Sequence, residues 1–181
     1  MKFRFFLFDR IIYVVIIFVL GCSGKGEDKF KNPLYFANDF ESYDGWCENH
    51  QIIKGNAHSG KYSCKIDSAN IFSRGFVSKL NQISSTSIKQ VDVSAWIKLE
   101  KPSAWAKCAV EIRSSKDSII FWEAGNSNDF LQSSGEWIPV KFNFKLPPFL
   151  DPEGVIKVYF MNQKNYGLFI DDLEIIFDAG K

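Results

Sequence analysis

Apolar and polar residues alternate with period two in short stretches separated by turn residues, and this pattern fixes the class of fold open to the chain. Tyr62, Cys64 and Ile66 alternate with Ser63, Lys65 and Asp67. Val91, Val93, Ala95, Ile97 and Leu99 alternate with Asp92, Ser94, Trp96 and Lys98. Ala106, Cys108, Val110 and Ile112 alternate with Lys107, Glu111 and Arg113. Ile138, Val140, Phe142, Phe144 and Leu146 alternate with Trp137, Lys141, Asn143 and Lys145, and Phe169, Asp171, Leu173, Ile175 and Phe177 alternate with Ile170, Asp172 and Glu174. Successive side chains of a strand point to opposite faces, so strict alternation marks antiparallel strands with one face buried. Turn clusters fall between them, at Gly55–Gly60, Gly125–Asp129 and Pro147–Pro148. Many short strands, no repeat and no long helical period predict an all-β antiparallel β-sandwich or barrel.

The N-terminus follows a different logic. Lys2, Arg4 and Arg10 precede ten apolar residues, Ile11 to Leu20, and then Gly21-Cys22. A charged start, a short apolar run and a small residue at the cut describe a secretion signal. The run is too short for a bilayer core, which needs about 20 residues, and extending it back would bury Asp9 and Arg10. Val19-Leu20-Gly21-Cys22 resembles a bacterial lipobox. The resemblance implies lipidation of the Cys22 thiol and cleavage before it, leaving an exported protein lipid-anchored to a bacterial membrane, at the periplasmic face of the outer membrane or the cell surface. Residues 1–21 are then a signal peptide, residues 22–31 the lipidated cysteine with a polar, flexible tether, and residues 32–181 one domain. About 150 residues suffice for one core.

The net charge of +1 gives no electrostatic case for nucleic acid. Apart from Cys22 there are Cys47, Cys64 and Cys108. Two of these pair in an exported protein, or all three stay buried thiols, and the sequence does not choose.

Several segments resemble carbohydrate-binding modules of the xylanase and cellulase type. Asn38-Asp39-Phe40-Glu41 with Gly45-Trp46 is similar to their opening, and His58-Ser59-Gly60-Lys61-Tyr62-Ser63 to their first turn and strand. Val93-Ser94-Ala95-Trp96-Ile97-Lys98, Gly135-Glu136-Trp137 with Val140, and Leu168-Phe169-Ile170-Asp171-Asp172-Leu173 follow in the family's order. The implied fold is a galactose-binding-like β-jelly roll, in which the first and last strands lie close together. The resemblance also implies a structural calcium ion. Members often hold one between an acid of the first segment, here Glu41, an acid of the last, here Asp171 or Asp172, and backbone carbonyls near the His58 turn, here at Lys61. Calcium takes hard oxygen ligands. Alternation places Asp171 on a core-facing row with Phe169, Leu173 and Ile175, where a carboxylate must be paired or metal-bound. Hydrogen bonding to the backbone or to Lys61 is the other arrangement open to it.

Sugar rings stack their C–H faces on aromatic rings, and hydroxyls need acids, amides or Arg beside them. Trp96 points away from the Val93-Ala95-Ile97 row, and Trp105 precedes the next strand. Trp122 and Tyr159 are further candidates, with Glu111, Arg113 and Lys157 as polar neighbours. A covering loop is the alternative for Trp96; Trp46 and Trp137 are expected to pack at the sandwich ends. The two histidines, His50 and His58, accompany no nucleophile elbow, two-His metal motif or Gly-rich phosphate loop. Paired acids exist as on any surface, so residue types alone neither make nor exclude a glycosidase, and a small enzyme is the third reading. The chain is therefore expected to be no enzyme but an anchored module that binds carbohydrate, or else a structural or protein-interaction subunit built on the same jelly roll. Any catalytic domain is expected on a separate polypeptide.

Overall fold

A computed structural model of the chain describes residues 34–101, 106–126, 135–148, 150–162 and 166–179, which form two facing antiparallel sheets. Cys22, the signal and the tether lie outside the described residues, as does Trp105. The strands are β1 (Tyr35–Asn38), β2 (Ile52–Lys54), β3 (Tyr62–Ile66), β4 (Phe76–Lys79), β5 (Ile88–Leu99), β6 (Ala106–Arg113), β7 (Ile119–Asn126), β8 (Ile138–Lys145), β9 (Val155–Asn162) and β10 (Leu168–Ala179). One sheet runs β2-β3-β10-β5-β8 with β1 also on β10; the other runs β4-β9-β6-β7. This is the jelly-roll sandwich that the alternation and the resemblance predict.

The core lies between the sheets. Val91, Val93, Ala95, Ile97 and Leu99 of β5 are buried while the residues between them are partly exposed. Val140, Phe142 and Phe144 of β8 and Cys108, Val110 and Ile112 of β6 follow the expected rows. Phe142 meets Phe160 of the opposite sheet edge-on, with ring centroids 6.3 Å apart. Phe36, Phe76 and Phe177 close one end of the sandwich, and Trp46 packs edge-on against Phe76 at 5.3 Å. Trp46 is thus structural, as expected. Cys47 and Cys64 form a disulfide, tying the segment before β2 to β3, and Cys108 is a buried free thiol whose pKa burial pushes well up. Of the two arrangements open to the cysteines, pairing with one left over is the one adopted.

β10 departs from the expected single row. Leu168 and Ile170 face the core, and so do Leu173, Ile175 and Phe177. A constant period of two cannot hold both sets, and a β-bulge at Asp171–Asp172 shifts the phase. Asp172 takes the left-handed backbone conformation, φ 46°, which Asp tolerates better than most residues. Asp171 therefore sits not on the core row with Leu173 and Ile175 but on the outer face with Phe169, whose ring lies 5.2 Å beneath the Lys65 ammonium. The bulge also divides one edge of β10. Leu168 to Ile170 pair with β3, and Leu173 to Ile176 pair with β1, so the first and last strands are neighbours.

Candidate functional site

The candidate side chains fall on opposite outer faces of the sandwich. Trp96 stands on the six-stranded sheet beside Asp171, its partner across the β5–β10 ladder. The turn between β2 and β3 folds over both. His58 stacks on Trp96 with centroids 3.7 Å apart and planes 12° from parallel, and Trp137 meets His58 edge-on at 6.0 Å. One stacking face of Trp96 is thus taken by the protein's own turn, and Trp137 supports that stack. What remains is a cleft of about 290 Å³ lined by Trp96, Pro139, Lys141, Asp172 and Glu174 among others.

Acidic side chains hold the turn down. Asp171, fully buried, accepts the backbone N–H groups of His58 at 2.7 Å, Ser59 at 3.2 Å and Asp172 at 2.8 Å. Burial raises its pKa to about 6, against the pull of those three donors. Asp172 takes His58 Nδ1 and Ser59 Oγ, each at 2.6 Å. Glu41 Oε1 accepts the N–H groups of Lys61 at 2.5 Å and Tyr62 at 2.7 Å, which hold its carboxyl below the usual range. Gly60 has φ 61°, and a Cβ there would strike the Glu41 carboxylate, so only glycine allows this approach.

As arranged, most oxygens of the expected calcium ligands are engaged by N–H donors. Glu41 Oε1 is directed at the Lys61 and Tyr62 N–H groups, and both oxygens of Asp171 at those of His58, Ser59 and Asp172. The Lys61 carbonyl accepts the Gly55 N–H. Among the described residues no three Asp, Glu, His or Cys side chains are placed to hold a metal ion together. Backbone hydrogen bonding, the other arrangement open to Asp171, accounts for both carboxylates. Ser59 and His58 both bind Asp172 rather than each other, so the serine is not activated by the imidazole.

The other outer face gathers Glu111, Arg113, Trp122 and Tyr159. In an antiparallel sheet residues directly opposite share a face. Ladder registers therefore place Trp122 (β7), Glu111 (β6), Lys157 (β9) and Val77 (β4) in one row across the four-stranded sheet. The adjacent row is Ala124, Ala109 and Tyr159. Small residues there leave room for the rings on either side. Trp122 Nε1 donates to Tyr159 Oη at 3.1 Å, across the strand between them. Ala109, outside the core cluster, is fully buried. Tyr159 is 7 % exposed and Trp122 48 % exposed, so the indole presents the open ring. Burial lifts the Tyr159 phenol above its ordinary pKa. Arg113 Nε donates to Glu111 Oε1 at 2.7 Å and its Nη1 to Asp117 Oδ1 at 3.1 Å, fixing the carboxylate beside the indole.

Phe72 completes this surface and escaped the sequence reading. It bridges Met161 of β9, packs edge-on to Tyr159 at 6.0 Å and is 46 % exposed. Its single bridge leaves no alternating run to mark it. Phe72, Tyr159 and Trp122 thus form an aromatic track crossing the sheet, with Glu111 and Lys157 beside it.

No protein-family model matches the chain, and no curated protein sequence does. Solved structures do. The first family 22 carbohydrate-binding module of Paenibacillus barcinonensis Xyn10C, a xylan-binding domain, superposes with a TM-score of 0.54 at 16% identity, over 81% of this chain and 95% of that one. The second such module of that protein gives 0.51 at 15%, over 80% and 99%. The module and catalytic segment of Clostridium thermocellum xylanase 10B, complexed with xylohexaose, gives 0.52 at 15%, over 80% of this chain and 28% of that one. At these identities the likeness establishes the fold, the β-sandwich jelly roll of carbohydrate-binding modules.

Proposed function

We propose that the chain is a non-catalytic, lipid-anchored module that binds a polysaccharide chain on the outer face of its four-stranded sheet. The observation that carries this is the track of Phe72, Tyr159 and Trp122, with two rings nearly half exposed and the Arg113-held carboxylate of Glu111 alongside. Two exposed rings on one face, joined through Tyr159, suit the C–H faces of sugars, and a fixed carboxylate suits their hydroxyls. A shared fold alone does not give function; the xylan-binding neighbours make xylan the first ligand to try. Export to an oxidising compartment is supported by the Cys47–Cys64 disulfide, and anchoring by the lipobox-like run ending at Cys22. A protein-interaction module is the second reading. It is favoured by Ile119 and Ile120, 54 % and 44 % exposed, on edge strand β7 beside Trp122.

The test is affinity electrophoresis of the full chain in detergent through gels containing xylan, with Trp122→Ala alongside. Retardation of the wild type and its loss in a folded Trp122→Ala variant are expected. A wild type that runs unretarded through xylan and a panel of other plant polysaccharides defeats the proposal.

A further inference from the structure

We infer that the polysaccharide taken by this face carries carboxylate groups, as uronic acid units do, and that Lys157 reads them. The inference rests on the carbohydrate-binding reading and narrows it. Lys157 stands mid-row between Val77 and Glu111, with its ammonium 4.8 Å above the Tyr159 ring. The ring holds the charge over the middle of the aromatic track. Two other cations of this sheet have carboxylate partners: Arg113 has Glu111 and Asp117, and Lys79 has Glu153 at 3.1 Å. Lys157 has none within ion-pair reach among the described residues, although Glu111 is its direct cross-strand neighbour, because Arg113 draws that carboxylate to itself.

This arrangement discriminates between ligands. A neutral chain lying on the track would displace water from an ammonium and return only neutral acceptors. A carboxylate would return a charge-assisted hydrogen bond, about twice as strong as a neutral one. Repulsion from Glu111 adds a direction: the ligand's carboxylate is steered to the Val77 and Phe72 side of Lys157. Uronate-bearing xylans fit this pattern, and unsubstituted ones do not use the lysine.

The experiment compares glucuronoxylan with the same polymer after chemical reduction of its carboxyl groups, both titrated into the full chain in detergent, with polyglutamate as a peptide source of carboxylates. Wild type is expected to bind glucuronoxylan on the order of tenfold more tightly than the reduced polymer. Lys157→Gln, checked for native circular dichroism, should lose that preference. Equal wild-type affinity for the two polymers overturns the inference while leaving the carbohydrate reading intact; so does a Lys157→Gln variant that keeps the preference. Binding to neither polymer overturns both. Polyglutamate binding as tight as glucuronoxylan binding overturns the assignment to a glycan.

Discussion

His58 lies flat on Trp96, ring on ring, although the two residues come from a turn and a strand on different parts of the chain. The contact makes Trp96 a packed residue on a face that alternation marks as outward. Truncating it should empty a partly buried aromatic site. We predict that Trp96→Ala costs roughly 3 kcal/mol, the lower end for emptying such a site, read as a fall in the urea midpoint. Polysaccharide binding by the folded variant should persist. Unchanged stability with lost binding would move the ligand site to this sheet.

Asp171 gives the turn a pH dependence of defined sign. Its carboxyl, near 3.9 in an unfolded chain, is raised to about 6 in the fold, chiefly by burial. Between those values the folded state holds the proton more tightly than the unfolded state. The stability from this group is therefore full below about pH 4, falls as pH rises through about 6, and is level above. The difference in urea midpoint between wild type and Asp171→Asn, followed from pH 4 to 7, should show that slope. Asn should also cost about 1–3 kcal/mol by placing an amide donor or a poorer acceptor against three N–H groups. A difference flat across this range refutes the assignment.

The Glu41 clamp predicts indifference to calcium. Its carboxylate is engaged by the Lys61 and Tyr62 N–H groups, so excess calcium and chelator should give the same Tm. Glu41→Ala should lower Tm in both by a few degrees. A calcium-dependent rise in the wild type that vanishes in Glu41→Ala would show that the turn rearranges around a metal.

The disulfide joins residues 17 apart in sequence. Closing a loop of that size removes denatured-state freedom worth about 3 kcal/mol. A Cys47→Ala, Cys64→Ala double variant should lose about that much in chemical denaturation. Cys108, fully buried with its pKa driven up, should react with thiol reagents only after unfolding.

Anchoring is tested at Cys22. Cys22→Ala should abolish acyl labelling and release the protein from membranes. A variant that stays membrane-bound and uncleaved would make the apolar run a true anchor.

The rows of β5, β6 and β8 are legible in the sequence because each has one face on the core and polar residues on much of the other. β9 is not, because apolar residues occupy both faces: Val158 and Phe160 enter the core, while Tyr159 lies under Phe72 and Lys157. β7 hides for a related reason. Its glycine, Gly125, reads as a turn, yet it sits within the strand where a Cβ would strike Phe142. In β10 the segment is legible but its phase is not, since the bulge has no signature beyond a repeated Asp. Trp122, Tyr159, Glu111 and Arg113 could be named from residue type alone. That Trp96 belongs to a different face could not, because only the stacking of two sheets separates them.

Tyr35 pairs with Ile176, three residues before the last described residue of β10, so the chain enters and leaves the sandwich at one corner of the six-stranded sheet. The aromatic track is on the other sheet. The two ends of the described chain thus meet on the sheet opposite the one that carries the exposed rings.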